Sequence, residues 1–306
     1  MRDIVSIKVK NYLEDGVETF EADINGEKIQ WDKALTYSKH IQTKALLSCQ
    51  IPVSDEPEEL MFIIIHQSME LWIKQCIHEA RLVTGFLQSD YLPKAYKSLD
   101  RIAVILRHMI HSWEILATLT PHDFLTFREY LRKGSGFQSY QYRELEFLLG
   151  NKNKDLIVVY KEDEQVYKHL NDVLAAPSLY DVTLKFLANK GQNIPQDKLD
   201  RDFSKPYVPS SVVEDVWRDI YSNVDKHWDL YTLGEKITSL EYYFQEWRFK
   251  HMKTVSRVIG YKKGTGGSSG VNYLVKALDL SFFPELWSMR TQMSPPIKSE
   301  NGECPL

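Results

Sequence analysis

The chain has 306 residues, of which 43% are hydrophobic and 26% charged. That balance excludes bulk disorder. Lys and Arg number 38 against 42 Asp and Glu, for a net charge of −4, so no basic surplus exists to drive nucleic-acid binding. With only 14 Gly and 12 Pro, the punctuation of a turn-rich β-sandwich or barrel is missing.

The three cysteines, Cys49, Cys76 and Cys304, include no C-x-x-C pair. An odd, scattered set argues against a disulfide framework or thiolate metal site and fits a reducing compartment. The amino terminus has no uninterrupted apolar core of the secretory type. The longest apolar run, Leu60 to Ile65, is far short of the roughly 20 residues a membrane helix needs. A cytoplasmic protein without membrane or nucleic-acid partners is expected.

In chain order, residues 1–33 read as an appendage. Phe20, Ala22, Ile24, Lys28 and Ile29 alternate about Asn25-Gly26, which predicts a short hairpin. Residues 34–292 form the main domain, helical by period. A long helix is predicted over 57–87 and a second over 98–119. Thr120-Pro121-His122-Asp123 supplies an N-cap, a proline at N1 and an acid at N3 for a short helix that stops at Gly134-Ser135-Gly136. Another helix spans 137–149 and closes on Gly150. Two more cover 163–175 and 178–190. Ser211 with Glu214 reads as a capping box opening a helix to Leu233, and Gly234 separates it from a helix over 235–261. A last helix covers 271–279, with a turn near Pro284. Residues 293–306, rich in Pro, Ser and Gly, read as a frayed tail. With no βαβ alternation, the fold class is all-α, a bundle of long antiparallel helices with a small amino-terminal appendage.

Two of the nine histidines sit where polar groups are unexpected. His251 shares one helix face with Leu240, Phe244, Trp247, Val255 and Val258. It is either a core histidine satisfied by a neighbour or an axial haem ligand, since a neutral imidazole walled by apolar side chains suits haem iron. His66 shares a face with Phe62, Met69 and Ile73. It is either packed or lines an apolar pocket where it can hydrogen-bond a substrate. His108 and His111 have metal-compatible spacing but no acidic or thiol partner on that face, and no H-E-x-x-H pattern occurs.

The segment Lys263 to Gly270 carries four glycines, Thr265 and two serines directly after the His251 helix. It lacks the ending of a phosphate loop, but its glycines allow backbone to approach a ligand and its hydroxyls offer hydrogen bonds. Arg128 lies one helical turn after Phe124. A ring and a guanidinium on one face suit an amino acid, ring against ring and fork against carboxylate; a surface ion pair is the alternative.

Several of these segments, in order, resemble the tryptophan 2,3-dioxygenase family over about residues 34–292. They are Phe62 to Gln67 with Glu70-Leu71-Trp72, Trp113 to Pro121, Phe127 to Leu131, Ser135 to Ser139 and Gln141 to Arg143, followed by Trp247 to His251, Gly264 to Gly270 and Phe283 to Trp287. The resemblance implies an all-helical homotetramer, a dimer of dimers, with one haem b per subunit. It implies insertion of both atoms of O2 into the indole C2–C3 bond of L-tryptophan to give N-formylkynurenine, the first step of the kynurenine pathway.

By motif position, His251 is similar to the proximal haem ligand. His66 is similar to the distal catalytic histidine that hydrogen-bonds the indole N–H, orienting it rather than removing a very weakly acidic proton. The resemblance gives Arg128 the substrate carboxylate, Thr265 the ammonium, and Phe62 and Phe124 the walls around the indole. It puts Trp113, Ser135 and Gly136, with Gly264 and Gly266 of the loop, around the haem. Tyr37 matches a tyrosine donated by a neighbouring subunit. Where the family commonly has a second tyrosine three residues later, this chain has His40, smaller and able to titrate near neutral pH. The alternatives are a related haem enzyme inserting one oxygen into a substituted indole, a non-catalytic haem sensor, and a helical interaction protein.

Overall fold

Two turns with left-handed backbone organise the amino-terminal residues. Asn25 and Gly26 both take positive φ, 57° and 84°, as the tight turn between twisted strands requires. They join β2 (Val17–Ile24) to β3 (Glu27–Asp32) in the register Ala22 opposite Ile29. The expected hairpin is therefore present, but it is extended to three strands. Asp15-Gly16, with φ of 49° and 78°, joins β2 to β1 (Val9–Glu14). Every residue of β1 is exposed, so its sequence carries no alternation to read. Two single-turn helices follow, α1 (Tyr37–His40), capped by Thr36, and α2 (Thr43–Leu46).

The computed structural model describes residues 8–295, so most of the expected tail, with Cys304, lies outside the described residues. The chain divides between Pro52 and Val53 into two units. Among its described residues the second holds helices and no strand. Its frame is α3 (Glu58–Gln88), α4 (Leu92–Leu116) and α11 (Trp228–Ile259), with α4 packed against both others. Between them run α5 (Pro121–Arg128), α6 (Tyr140–Leu149), α7 (Glu164–Ala175), α8 (Leu179–Asn189), α9 (Gln196–Leu199) and α10 (Ser211–Ser222). The helices α12 (Val271–Leu278) and α13 (Pro284–Gln292) close the chain, and 3₁₀ turns cover Gly136–Gln138 and Lys154–Tyr160. Among the described residues, no single helix is long and apolar enough to cross a membrane.

The second helix begins at Leu92, six residues earlier than predicted, because Pro93 sits in the first turn, where its missing N–H costs nothing. The Thr120 box forms in both directions: the Thr120 hydroxyl accepts from Asp123 N, and the Asp123 carboxylate accepts from Thr120 N. The Ser211–Glu214 box does not form. Ser210 occupies the cap without a side-chain bond, and Glu214 instead accepts from Ser288 and Gln292 on α13. Gly234 is not a boundary either. It lies inside α11, where a Cβ would meet the Tyr221 hydroxyl at 2.9 Å and Trp217 Cζ3 at 3.0 Å. Glycine there lets α10 approach α11 closely. The helix predicted from Ser211 to Leu233 instead ends at Ser222, and α11 starts at Trp228, a 32-residue rod about 48 Å long.

Charge fixes the carboxyl-terminal segment on that rod. Glu241 is fully buried and accepts from the backbone N–H of Phe282 at 2.6 Å and Phe283 at 3.1 Å, and from Trp287 Nε1 at 2.8 Å. Burial pushes its carboxyl above the usual range while these donors oppose the shift.

Candidate active site

Helices α3, α4, α5 and α11 with the loop after α11 enclose an apolar cavity of about 580 Å³. Its lining brings together Phe62, His66, Trp113, Phe124, Arg128, Ser135, Gly136, His251, Gly264 and Thr265, all expected from sequence. Gly266 does not line it. Gly266 packs against Ser135, whose Cβ would lie 2.9 Å from an added Cβ, so a side chain there would push the loop off the cavity wall. Tyr37 and His40 lie in the other unit, exposed on α1.

One wall comes from α3. Phe62 and His66 lie one turn apart, with ring centroids 4.2 Å apart, and Phe62 also meets Phe124 at 5.9 Å and Phe127 at 5.6 Å. His66 Nδ1 lies 2.6 Å from the Phe62 carbonyl oxygen. A carbonyl only accepts, so Nδ1 carries the proton and Nε2 keeps a free lone pair. Burial lowers the His66 pKa more than that hydrogen bond raises it. The imidazole is therefore a neutral acceptor at pH 7.

The opposite wall is α11. His251 stacks on Trp113 with centroids 4.5 Å apart and planes 7° from parallel, and tilts on Trp247 at 5.8 Å. Neither ring nitrogen of His251 makes a hydrogen bond among the described residues, so the predicted alternative of a core histidine satisfied by a neighbour is not what forms. Burial first, and the charge of His66 second, take its pKa down to about 4. A neutral imidazole with an uncommitted lone pair is what iron binds. The indole N–H groups of Trp113 and Trp247 are also buried without partners. A large apolar cavity bearing an unbonded imidazole and orphan donors fits a planar, mostly apolar group with polar edges, as haem is. His108 and His111 do not converge on a metal: His108 meets the Trp72 ring, and His111 lies 3.9 Å from Glu114, so an acid does follow on that face, contrary to the sequence reading. No group of three metal-capable side chains forms among the described residues.

Residues the periodicity did not single out support this wall. Tyr142 lines the cavity, stacks on Phe244 at 5.8 Å and contacts Trp247 at 5.5 Å. Its hydroxyl accepts from Arg248 Nε at 3.1 Å, while Arg248 also donates to Glu146 at 2.6 Å and Leu280 O at 3.2 Å. Arg143 donates to the other oxygen of Glu146. This paired network is buried, and burial pushes the Tyr142 pKa up, so the ring stays neutral. Arg248 is one turn before His251, and period alone marks it as a surface charge. Only its distant partners explain its burial.

The mouth of the cavity is polar. Arg128 Nη2 donates to the Lys263 carbonyl, and the Thr265 hydroxyl donates to the Gly134 carbonyl. Each contact joins the 262–270 loop to the α5 segment. Arg128 Nε is buried and unpartnered. Thr265, having donated its proton, keeps lone pairs that can accept from an ammonium.

A family model for tryptophan 2,3-dioxygenase matches residues 22–177 and 174–293. The chain is 46% identical over 259 residues to the tryptophan 2,3-dioxygenase of Bacillus thuringiensis subsp. konkukian (strain 97-27), covering 85% of this chain and 93% of that one. It is 44% identical over 281 residues to that of Geobacillus thermodenitrificans (strain NG80-2), covering 92% and 97%. It is 45% identical over 281 residues to that of Shewanella woodyi (strain ATCC 51908 / MS32), covering 92% and 95%. With matches of this extent, and a cavity whose walls carry the expected histidines, arginine and threonine, the chain belongs to the tryptophan 2,3-dioxygenase family.

Proposed function

We propose that this chain opens the indole C2–C3 bond of L-tryptophan with both atoms of O2, giving N-formylkynurenine, in the cytoplasm and with haem b as cofactor. The observation that carries the reading is the pair of imidazoles on opposite walls of one apolar cavity, His251 unbonded and His66 with a free Nε2. His251 would hold the haem, with Trp113, Ser135, Gly136 and Gly264 around it. Haem iron, when bound, supplies the binding and activation of O2.

The protein's own contribution is placement. Nε2 of His66 accepts from the indole N–H and fixes the ring's rotation. Phe62 and Phe124 give it an apolar slot and exclude water. Arg128 holds the carboxylate through charge-assisted bonds and Thr265 accepts from the ammonium. Fixing both ends of the substrate converts an encounter into an oriented reaction. Tyr37 and His40 complete the pocket of a neighbouring copy, within a homotetramer built as a dimer of dimers.

The test is single-isotope labelling. Haem-loaded, reduced protein is given L-tryptophan under ¹⁸O₂ and the product is weighed. Two incorporated ¹⁸O atoms are expected. One atom, or no product from protein with a normal haem spectrum, refutes the reading.

A further inference from the structure

Beside the cavity mouth lies a second hollow of about 320 Å³, lined by Arg128, Arg132, Lys133, Lys263 and Thr265 with the single acid Glu129. Four cations thus surround one small space. None of the four forms an ion pair among the described residues, whereas Arg143, Arg201 and Arg248 all do. Arg128 commits one donor to Lys263 O, and its Nε is buried with no partner. Arg132 holds a positive φ of 50°, a conformation that residues with side chains adopt rarely.

We propose that this hollow is a binding site for a small, doubly charged oxyanion of the phosphate or dicarboxylate class, adjoining the substrate cavity and sharing Arg128, Gly264 and Thr265 with it. Four cations against the one acid Glu129 leave an excess of like charge, and an oxyanion relieves that repulsion while accepting from the guanidinium forks. Glu129 disfavours a highly charged polyanion, which sets the ligand's size and charge. Because Arg128 serves both spaces, an anion here competes with the carboxylate of the substrate. That last consequence rests on the role proposed for Arg128; the site itself does not.

The experiment titrates haem-loaded protein with inorganic phosphate by calorimetry, with ionic strength held constant by sodium chloride. Saturable binding is expected, weakened about tenfold or more in Arg132→Ala/Lys133→Ala. Both side chains are exposed and make no bond in the fold, and unchanged helicity by circular dichroism checks that the variant is folded. No phosphate heat beyond that of chloride, or equal affinity in the variant, overturns the site. Steady-state turnover then separates the two readings. A phosphate-dependent rise in apparent KM for tryptophan at constant kcat supports the sharing of Arg128, and an unchanged KM overturns it while leaving the calorimetric result to decide the site.

Discussion

Replacing Arg128 by alanine isolates the proposed recognition of the substrate carboxylate. The side chain gives one donor to the Lys263 carbonyl and keeps its remaining donors, Nε included, free of partners. A charge-assisted hydrogen bond contributes about 1.5–3 kcal/mol. At about 1.4 kcal/mol per factor of ten, its loss corresponds to roughly a 10- to 150-fold rise in KM. The substitution also frees the loop end held at Lys263, so Thr265→Val is expected to be non-additive with it. The two contacts fasten the same loop from two sides, and coupled neighbours show interaction energies of about 0.5–3 kcal/mol. Arg128→Lys keeps a charge but not the fork and is expected to fall between. The assay is steady-state turnover of haem-loaded protein, reading kcat and KM separately for wild type, both singles and the double. A KM for Arg128→Ala within twofold of wild type would show that the carboxylate is held elsewhere.

Three further outcomes follow from the geometry. His251→Ala is expected to lose tight haem retention without unfolding, and an unchanged Soret band at normal occupancy would remove His251 as ligand. In haem-free protein the depressed His251 pKa, about 4 against 6.5, means the unfolded chain binds more protons; stability is therefore present above pH 6.5 and falls as pH drops toward 4, by about 3 kcal/mol at most. Denaturant midpoints flat over that window in wild type, or falling equally in His251→Ala, would contradict it. Gly234→Ala gains about 1 kcal/mol in helix propensity but drives a methyl to 2.9–3.0 Å from Tyr221 and the fully buried Trp217. Overpacking of this kind costs about 1–3 kcal/mol, so a net loss of up to about 2 kcal/mol in urea unfolding is expected, and a gain would show that α10 moves freely.

How much of this was legible in the sequence depends on the range of the interaction involved. The His251 stripe, the Thr120 box and the Asn25-Gly26 turn are set by neighbours within a few residues, and each appears as read. Gly234 was misread as a boundary because glycine is usual helix punctuation, and the rings packed against it from α10 are not visible in the local sequence. The second helix was started six residues late, past Pro93, which its first turn accommodates. Glu214 was assigned to a local cap but serves a partner more than 70 residues away. Phe62, His66, Arg128 and His251, singled out by their faces and by motif, line one cavity. Tyr142 and Arg248 lie in matching segments too, but their pairing with Glu146 was not legible, because a charged residue three before a histidine looks solvated until its partners from α6 are in place.

The buried carboxylate of Glu241 has a consequence for how the chain is made. Apart from a 3.4 Å contact with Gln245 on the same helix, its donors Phe282, Phe283 and Trp287 are more than 40 residues downstream. During synthesis from the amino terminus, the rod that carries His251 emerges before the segment that supplies the hydrogen bonds to its buried acid Glu241. Until Trp287 is available, that stretch of α11 cannot settle into the interior without stranding an ionised or protonated oxygen pair, a cost of several kcal/mol. The wall that carries His251 can therefore reach its final packing only after Trp287 has been made. A nascent chain stopped before residue 281 is a substrate for chaperones or proteases, not a shortened enzyme.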